Sequence, residues 1–183
     1  MTSAAALRRP TERIVHVVQG HHAIVDDPDV VLSTILGSCV ATCLCDPVAG
    51  VGGMNHFLLP GDGNAGGEGQ KYGVNAMELL INGLLQRGAL RSRLQAKLFG
   101  GGHVINNLSD IGAQNAAFAR RFLQVEAIPV VGESLGGVQA RRIRYWPTTG
   151  RASQLLLERA EVFGAEKRAP VEPPVETGAL ELF

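Results

Sequence analysis

The chain has few aromatic residues, no surplus charge, few cysteines and no long apolar run, and each shortage excludes a class of protein. Its 183 residues are 5% aromatic, contain three cysteines, and balance 17 Lys and Arg against 17 Asp and Glu. Balanced charge provides no global field to gather nucleic acid or an anionic membrane. No apolar run of membrane-spanning or signal-peptide length is present. The sequence therefore predicts a cytoplasmic protein that binds no nucleic acid.

The three cysteines, Cys39, Cys43 and Cys45, lie within one short segment. An odd number at such close spacing does not suit a secreted disulfide framework, so reduced thiols are expected. The spacing also lacks the paired CxxC ligands of a structural zinc site, so no metal is predicted. Cys43 and Cys45 are expected in the core.

Length and a hydrophobic fraction of 45% predict a single folded domain. We assign residues 14–163 to it, residues 1–13 to a flexible tail, and the Pro-rich residues 164–183 to a disordered tail. Strands outnumber helices, which favours a layered α+β domain. The predicted strands are Ile14–Val18, Val30–Leu36, Val40–Cys45, Val51–Leu59, Leu94–Phe99, Ile128–Glu133, Gln139–Tyr145 and Ser153–Glu158, and the predicted helices are Tyr72–Arg87 and Ile111–Val125.

Three connections and one helix face complete this prediction. His21–Asp29 is polar and is expected to be a turn-forming connection, and Gly61–Gly69 is expected to be an exposed glycine-rich loop. Gly100–His103 (GGGH) lacks the Lys-Ser/Thr of a phosphate-binding loop, so a backbone turn is the preferred interpretation. The second helix is expected to bury one apolar face. That face consists of Ile111, Phe118, Phe122 and Val125.

Cys39 is the candidate nucleophile. It follows Gly37-Ser38, where the backbone can turn sharply, expose the thiol and aim amide N–H groups at a developing oxyanion. A neighbouring imidazole can take the thiol proton, and the resulting thiolate attacks a carbonyl or carboxamide carbon. The alternative is an inert core cysteine, which is the commoner role of a cysteine in an apolar strand.

His56 is the candidate base. If Val40–Cys45 and Val51–His56 form a hairpin with Cys45 opposite Gly50, then Cys39 lies opposite His56. The alternative is a structural histidine beside an apolar run. Thr34 or Ser33 is the candidate third group that orients the imidazole, with Asn55 less favoured; because successive strand residues face opposite ways, only one hydroxyl should be available, and Thr34 is preferred. His21 and His22 are expected to be solvated.

These residues belong to a longer pattern. Residues 35–60, ILGSCVATCLCDPVAGVGGMNHFLLP, resemble the signature of the CheD family of chemoreceptor glutamine deamidases. The resemblance continues through KYGVNAMELLINGLLQRGA, AKLFGGGHV, IGAQNAAF, IPVVGESLGG and RRIRYWPTTGR, and covers roughly residues 14–157.

The resemblance implies a three-layer α/β/β domain, similar to the catalytic domain of the cytotoxic necrotizing factor toxins, with a Cys-His-Thr site. Those roles fall on Cys39, on His56, and on Thr34 or Ser33. The implied reaction converts receptor glutamine side chains to glutamate without a cofactor. The implied partners are chemoreceptor cytoplasmic domains and a CheC-type phosphatase, with the membrane reached only through receptors.

Three positions depart from the family pattern: Gln114, Ser134 and Val138 stand where arginine, aspartate and a polar residue are expected. They motivate an alternative function, a non-catalytic adaptor that binds receptors or a phosphatase. A third alternative is a thiol hydrolase of small amides or a redox sensor built on the cysteine cluster.

Overall fold

A computed structural model describes residues 12–59, 67–103 and 111–158. The predicted tails lie almost entirely outside these ranges. The described elements are β1 (Arg13–His16), β2 (His22–Val25), β3 (Val30–Leu36), β4 (Val40–Asp46), β5 (Val51–Phe57), α1 (Glu68–Gln86), a 3-10 turn (Arg91–Arg93), β6 (Gln95–Gly100), α2 (Ile111–Val125), β7 (Val130–Leu135), β8 (Arg141–Trp146) and β9 (Arg151–Leu156).

The strands form two sheets. One has four strands in the order β1-β3-β8-β9, and the other has five in the order β2-β5-β4-β6-β7. Most pairs are antiparallel, while β1 with β3 and β6 with β7 are parallel. Both helices contact the five-stranded sheet, α1 against β2, β4 and β5 and α2 against β4, β6 and β7. The order is therefore helices, five-stranded sheet, four-stranded sheet, and the predicted α+β fold with three layers is confirmed.

Two cores follow from this layering. Met77, Leu80, Ile81 and Leu84 of α1 and Leu123 of α2 pack on one face of the five-stranded sheet. The other face meets the four-stranded sheet in a second core. This core contains Leu32, Leu36, Ile143 and Tyr145 from one sheet and Ala41, Cys43, Cys45 and Met54 from the other.

The central strand β4 is buried along its whole length. It lies between the helix layer and the other sheet, and a strand covered on both faces needs small or apolar side chains throughout. This explains why VATCLC has no polar-apolar alternation. Cys43 and Cys45 are buried, as predicted.

The sequence prediction is wrong at two connections. His21–Asp29 is not wholly a turn, because it contains β2 (His22–Val25), which pairs with β5 at the sheet edge. The first helix begins at Glu68, within the predicted glycine-rich loop, whereas residues 60–66 lie outside the described part. Its predicted end is close, since Gly88 follows with φ +92°, a conformation that suits glycine.

The predicted face of α2 is also partly wrong. Val125 is 76% exposed, and Phe118 and Phe122 pack only at the border of the core. The buried face instead consists of Gly112, Asn115, Ala116, Ala119 and Leu123. Small side chains let this helix lie close to the sheet, so the position of the large ones did not reveal the contact face. Neither helix of the described ranges has the length and apolarity needed to cross a bilayer.

Candidate active site

Cys39 lies in the loop between β3 and β4, and hydrogen bonds hold this loop on one side. The carbonyls of Gly37 and Cys39 accept bonds from the backbone N–H groups of Gly102, at 2.8 Å, and Gly101, at 2.7 Å. The intervening Ser38 carbonyl accepts a 2.9 Å bond from Asn115 Nδ2 on α2. Three consecutive carbonyls are therefore turned toward the same supporting wall.

The amide N–H groups of this loop point the other way. No peptide bond here is cis, and in a trans peptide the N–H is opposite the preceding carbonyl. The N–H groups of Ser38 and Cys39 are therefore directed away from the wall. The Cys39 N–H lies beside its own sulfur, where it partly offsets the effect of burial on the thiol pKa.

Glycines make the supporting wall possible. A Cβ at Gly100, where φ is +107°, would lie 2.1 Å from the Cys39 carbonyl oxygen. A Cβ at Gly112 of α2 would lie 2.5 Å from the Gly102 oxygen. Gly100 ends β6 rather than belonging to the predicted turn, and Gly101 and Gly102 pack between the Cys39 loop and α2; His103 after them is exposed.

His56 lies on β5, and its hairpin partner differs from the prediction. His56 pairs with Ala41, and Cys45 pairs with Gly52, so the predicted register is wrong by two residues. Asp46 remains in β4, since its carboxylate accepts the N–H groups of Val48 and Ala49 and confines the turn to residues 47–50. Because side chains alternate with a period of two, this shift leaves His56 on the same face of the sheet.

Cys39 and His56 are thus diagonal neighbours rather than opposed residues. Cys39 precedes Ala41 by two positions and packs against the core between the sheets. Diagonal neighbours on one face are roughly 7–8 Å apart at Cα, within reach of a long or aromatic side chain. The described residues show no hydrogen bond between the two side chains. The Cys39 thiol instead donates to Gln19 Oε1 at 3.3 Å.

Thr34 contacts the imidazole, and Ser33 does not. Thr34 Oγ1 lies 2.9 Å from His56 Nδ1 and donates to the Val17 carbonyl at 2.8 Å. The single hydroxyl proton is therefore used, so Nδ1 must donate to Oγ1, and it also approaches the Val17 carbonyl at 3.3 Å. Ser33 faces the other way and donates to the Ile143 carbonyl at 2.9 Å.

This arrangement fixes the tautomer of the neutral histidine. With its proton on Nδ1, His56 keeps a lone pair on Nε2. Nε2 is buried and has no hydrogen-bond partner among the described residues. A buried ring nitrogen with a free lone pair can accept a proton from a nearby thiol.

Burial sets the charge state of both groups. It raises the pKa of the Cys39 thiol to about 11 and lowers the pKa of His56, although the Val17 carbonyl partly opposes the latter effect. At neutral pH the resting site therefore contains a thiol and a neutral imidazole rather than a thiolate–imidazolium pair.

Asn115 connects the segments that contain the two groups. This fully buried side chain donates to the Ser38 carbonyl and accepts the Leu59 N–H, each at 2.9 Å. Ser38 precedes Cys39, and Leu59 follows β5, which contains His56. One amide thus fixes the ends of both segments relative to α2.

Comparison with known proteins identifies the family. A family model described as CheD chemotactic sensory transduction matches residues 58–154. This chain belongs to the CheD family. A "Probable chemoreceptor glutamine deamidase CheD" of Rhizobium etli (strain CIAT 652) is 55% identical over 178 residues, which cover 93% of this chain and 96% of the relative. The protein of the same name in Agrobacterium fabrum is 58% identical over 187 residues, with full coverage of both chains.

Structural neighbours are more distant. A hypothetical protein YfiH of Bacillus licheniformis is 17% identical, has a TM-score of 0.43, and aligns over 70% of this chain and 61% of its own. This likeness is too weak to bear on function.

The departures from the CheD pattern lie away from Cys39 and His56 along the chain. Gln114 and Val138 are exposed, whereas Ser134 accepts a 3.0 Å bond from the buried Arg141 guanidinium. Asn55, the less favoured third group, bonds the Thr42 N–H and the Ala76 carbonyl on the helix side of the sheet. His21 and His22 are exposed, as predicted, although His22 begins β2.

Sequence reasoning missed three groups that contact the candidate site: Gln19, the Val17 carbonyl and Asn115. Gln19 and Val17 lie in the segment between β1 and β2, which has no catalytic signature. The one available signal was Asn115, a polar residue three positions before Phe118 and close to the apolar face of the predicted helix.

Proposed function

We propose that this chain deamidates glutamine side chains of chemoreceptors, with Cys39 as nucleophile, His56 as base and Thr34 as the group that orients His56. The observation that supports this most directly is the 2.9 Å contact of Thr34 Oγ1 with His56 Nδ1, which leaves a buried Nε2 lone pair on the face that Cys39 shares. Nucleophile, base and orienting group are the three parts that such catalysis needs.

The reaction has two halves. Cys39 Sγ forms a bond with the glutamine Cδ as the thiol proton moves to His56 Nε2, and the carbonyl electrons move onto oxygen. Collapse of this adduct breaks the C–N bond, and the imidazolium gives its proton to the departing nitrogen, so ammonia leaves. Water activated by the same Nε2 then hydrolyses the thioester to glutamate and restores the thiol.

The protonation states of Cys39 and His56 suit these reaction steps. A neutral His56 is able to accept the proton, and burial keeps it neutral because the pKa falls. The Cys39 thiol ionises only as the base takes its proton, since burial raises its pKa to about 11. We therefore expect proton transfer to accompany attack rather than to precede substrate binding.

The product explains the regulatory value of the reaction. Replacing a neutral carboxamide with a carboxylate adds one negative charge to a receptor helix and creates a methyl-acceptor side chain. We place the protein in the cytoplasm, where receptor signalling domains lie, and include a CheC-type phosphatase as a partner. Both assignments rest on the family resemblance.

The test uses purified protein and receptor cytoplasmic fragments from the same organism. Wild-type protein should release ammonia and add about one mass unit at specific glutamines, the change expected for NH2 replaced by OH. Cys39→Ala should bind the fragment and leave its mass unchanged. Cys45→Ala, which removes a core thiol, is the matched control and should retain turnover.

Binding without any mass change in the wild-type reaction would refute the deamidase and favour the adaptor alternative. Full activity of a folded Cys39→Ala protein would refute the assignment of the nucleophile. Circular dichroism and thermal unfolding of each variant separate loss of chemistry from loss of fold.

A further inference from the structure

Gln19 is held over the site by bonds to both sheets. On one side of it, the Val17 N–H donates to the Ser33 carbonyl at 2.9 Å in the four-stranded sheet. On the other side, Gly20 N–H donates to the His56 carbonyl at 2.7 Å, and the His56 N–H donates to the His21 carbonyl at 3.0 Å. The backbone at Gln19 is therefore fixed relative to β3 and His56, although its side chain is exposed.

The side chain reaches the nucleophile. Gln19 Oε1 accepts the Cys39 thiol proton at 3.3 Å. Within the ranges that the structure describes, Gln19 Nε2 has no hydrogen-bond partner. One amide group thus places a used acceptor and an unused donor beside the reacting sulfur.

We propose that Gln19 is a catalytic residue whose side-chain N–H, together with the Cys39 backbone N–H, donates to the oxyanion of the tetrahedral adduct. This inference rests on the proposed deamidase function. It assigns a role to a residue outside the Cys-His-Thr set.

The negative charge that develops during the reaction explains why the N–H end of the Gln19 amide becomes favoured over its oxygen end. Once His56 takes the thiol proton, the sulfur has no proton to offer and repels Oε1. Rotation about the terminal side-chain torsion, which is soft and roughly two-fold in glutamine, then presents Nε2–H instead. The new bond is charge-assisted and is therefore stronger than the resting one.

Position explains why the same donor reaches the oxyanion. In the adduct, the oxygen and the sulfur are bonded to one carbon, so a donor beside Sγ is also close to the oxyanion. Oxyanion donors act at roughly 2.7–3.1 Å from that oxygen. The Gln19 amide is already 3.3 Å from Sγ. The Cys39 N–H is directed away from the supporting wall, because the Ser38 carbonyl of the same peptide unit is turned toward it.

A different role for Gln19 would predict the opposite change in activity when this residue is replaced. The Gln19 carboxamide has the chemistry of the substrate side chain, so it could instead occupy the substrate position and hold the thiol proton away from His56. Removal of such a blocking group would raise activity. Removal of an oxyanion donor lowers kcat by roughly 100-fold or more.

The experiment compares full-length wild type with Gln19→Met, which keeps length without an amide, and Gln19→Glu, which keeps shape without a donor. Gln124→Met on the exposed face of α2 is the matched control. With receptor fragments, both Gln19 variants should lose roughly 100-fold in kcat with little change in KM. Wild-type or higher kcat in Gln19→Met would overturn the inference while leaving the deamidase function intact.

Alkylation of Cys39 by iodoacetamide gives a second readout that needs no receptor. At a fixed pH of about 9, the rate constant should fall roughly tenfold in Gln19→Met, the loss of one hydrogen bond to a thiolate. An equal or faster rate in that variant would count against the donor role. If wild type failed to modify any receptor, the deamidase proposal would fall, and this alkylation rate would still decide whether Gln19 stabilises the thiolate.

Discussion

Replacing Thr34 with valine should separate the orienting role of this hydroxyl from its packing role. Valine keeps the branched shape of a side chain that is 5% exposed and replaces only the hydroxyl with a methyl group. His56 Nδ1 would lose its 2.9 Å acceptor and keep the Val17 carbonyl at 3.3 Å. The imidazole would therefore be held less firmly, but its proton would still be on Nδ1.

The expected loss of kcat is limited because the contact of His56 Nδ1 with the Val17 carbonyl remains. One hydrogen bond contributes about 0.5–1.5 kcal/mol net, and about 1.4 kcal/mol corresponds to a factor of ten in rate. We therefore expect kcat to fall about tenfold in Thr34→Val. A triad whose histidine has the wrong tautomer loses roughly 10,000-fold in kcat. The loss in Thr34→Val should be far smaller, because the Val17 carbonyl still selects the Nδ1–H form.

Ser33→Ala is the matched control. Ser33 precedes Thr34 on β3 but bonds the Ile143 carbonyl on the opposite face, so its removal should cost about 1 kcal/mol of stability and leave kcat unchanged. Thr34→Ser keeps the hydroxyl and should retain most activity. The assay is ammonia release from receptor fragments at saturating substrate, with stability followed by urea unfolding.

Two outcomes would refute this reasoning. An unchanged kcat in a folded Thr34→Val protein would show that the hydroxyl does not orient the base. A tenfold fall in Ser33→Ala, with Thr34→Val normal, would transfer the role to Ser33.

Two further predictions concern the resting thiol and the support of the Cys39 loop. Because burial raises the pKa of Cys39 to about 11 and lowers that of His56, the alkylation rate of Cys39 should rise with pH toward about 11, and a rate already level from pH 6 upward would indicate a preformed ion pair. Asn115→Ala should leave the Ser38 carbonyl and the Leu59 N–H unpaired, costing about 2 kcal/mol in urea unfolding and lowering kcat, and unchanged stability would contradict the bridging role.

The sequence predicted the elements whose apolar residues form a clear run or a clear helical period. β3 (Val30–Leu36) has the predicted bounds because apolar residues run through most of it and a glycine follows, and α2 (Ile111–Val125) has them because apolar residues recur in it at helical spacing. β2 was missed because its apolar part is only Ala23, Ile24 and Val25 in a polar surrounding, and its strand state depends on pairing with β5. A short edge strand of this kind is determined by its neighbour more than by its own residues.

The site was predictable to the extent that strand periodicity determines it. The register was wrong by two residues, yet His56 stayed on the inner face, and alternation along β3 correctly allowed only one of Ser33 and Thr34 to face it. Gln19 and Asn115 could not be placed in this way. Gln19 reaches Cys39 from the segment between β1 and β2, 20 residues away, and Asn115 reaches Ser38 from α2, 77 residues away. No local pattern encodes those contacts.

The proposed base and the hydroxyl proposed to orient it belong to different sheets. Thr34 is on β3 of the four-stranded sheet, whereas His56 is on β5 of the five-stranded sheet, and the segment that contains Val17 and Gln19 bonds to both. The distance from Thr34 Oγ1 to His56 Nδ1 is therefore also a measure of how closely the two sheets pack. Since the core between the sheets sets that spacing through large side chains such as Leu32, Met54 and Tyr145, packing in this layer bears directly on the orientation of the base. We therefore expect a change that loosens the second core to disturb the orientation of His56 as well as to lower stability.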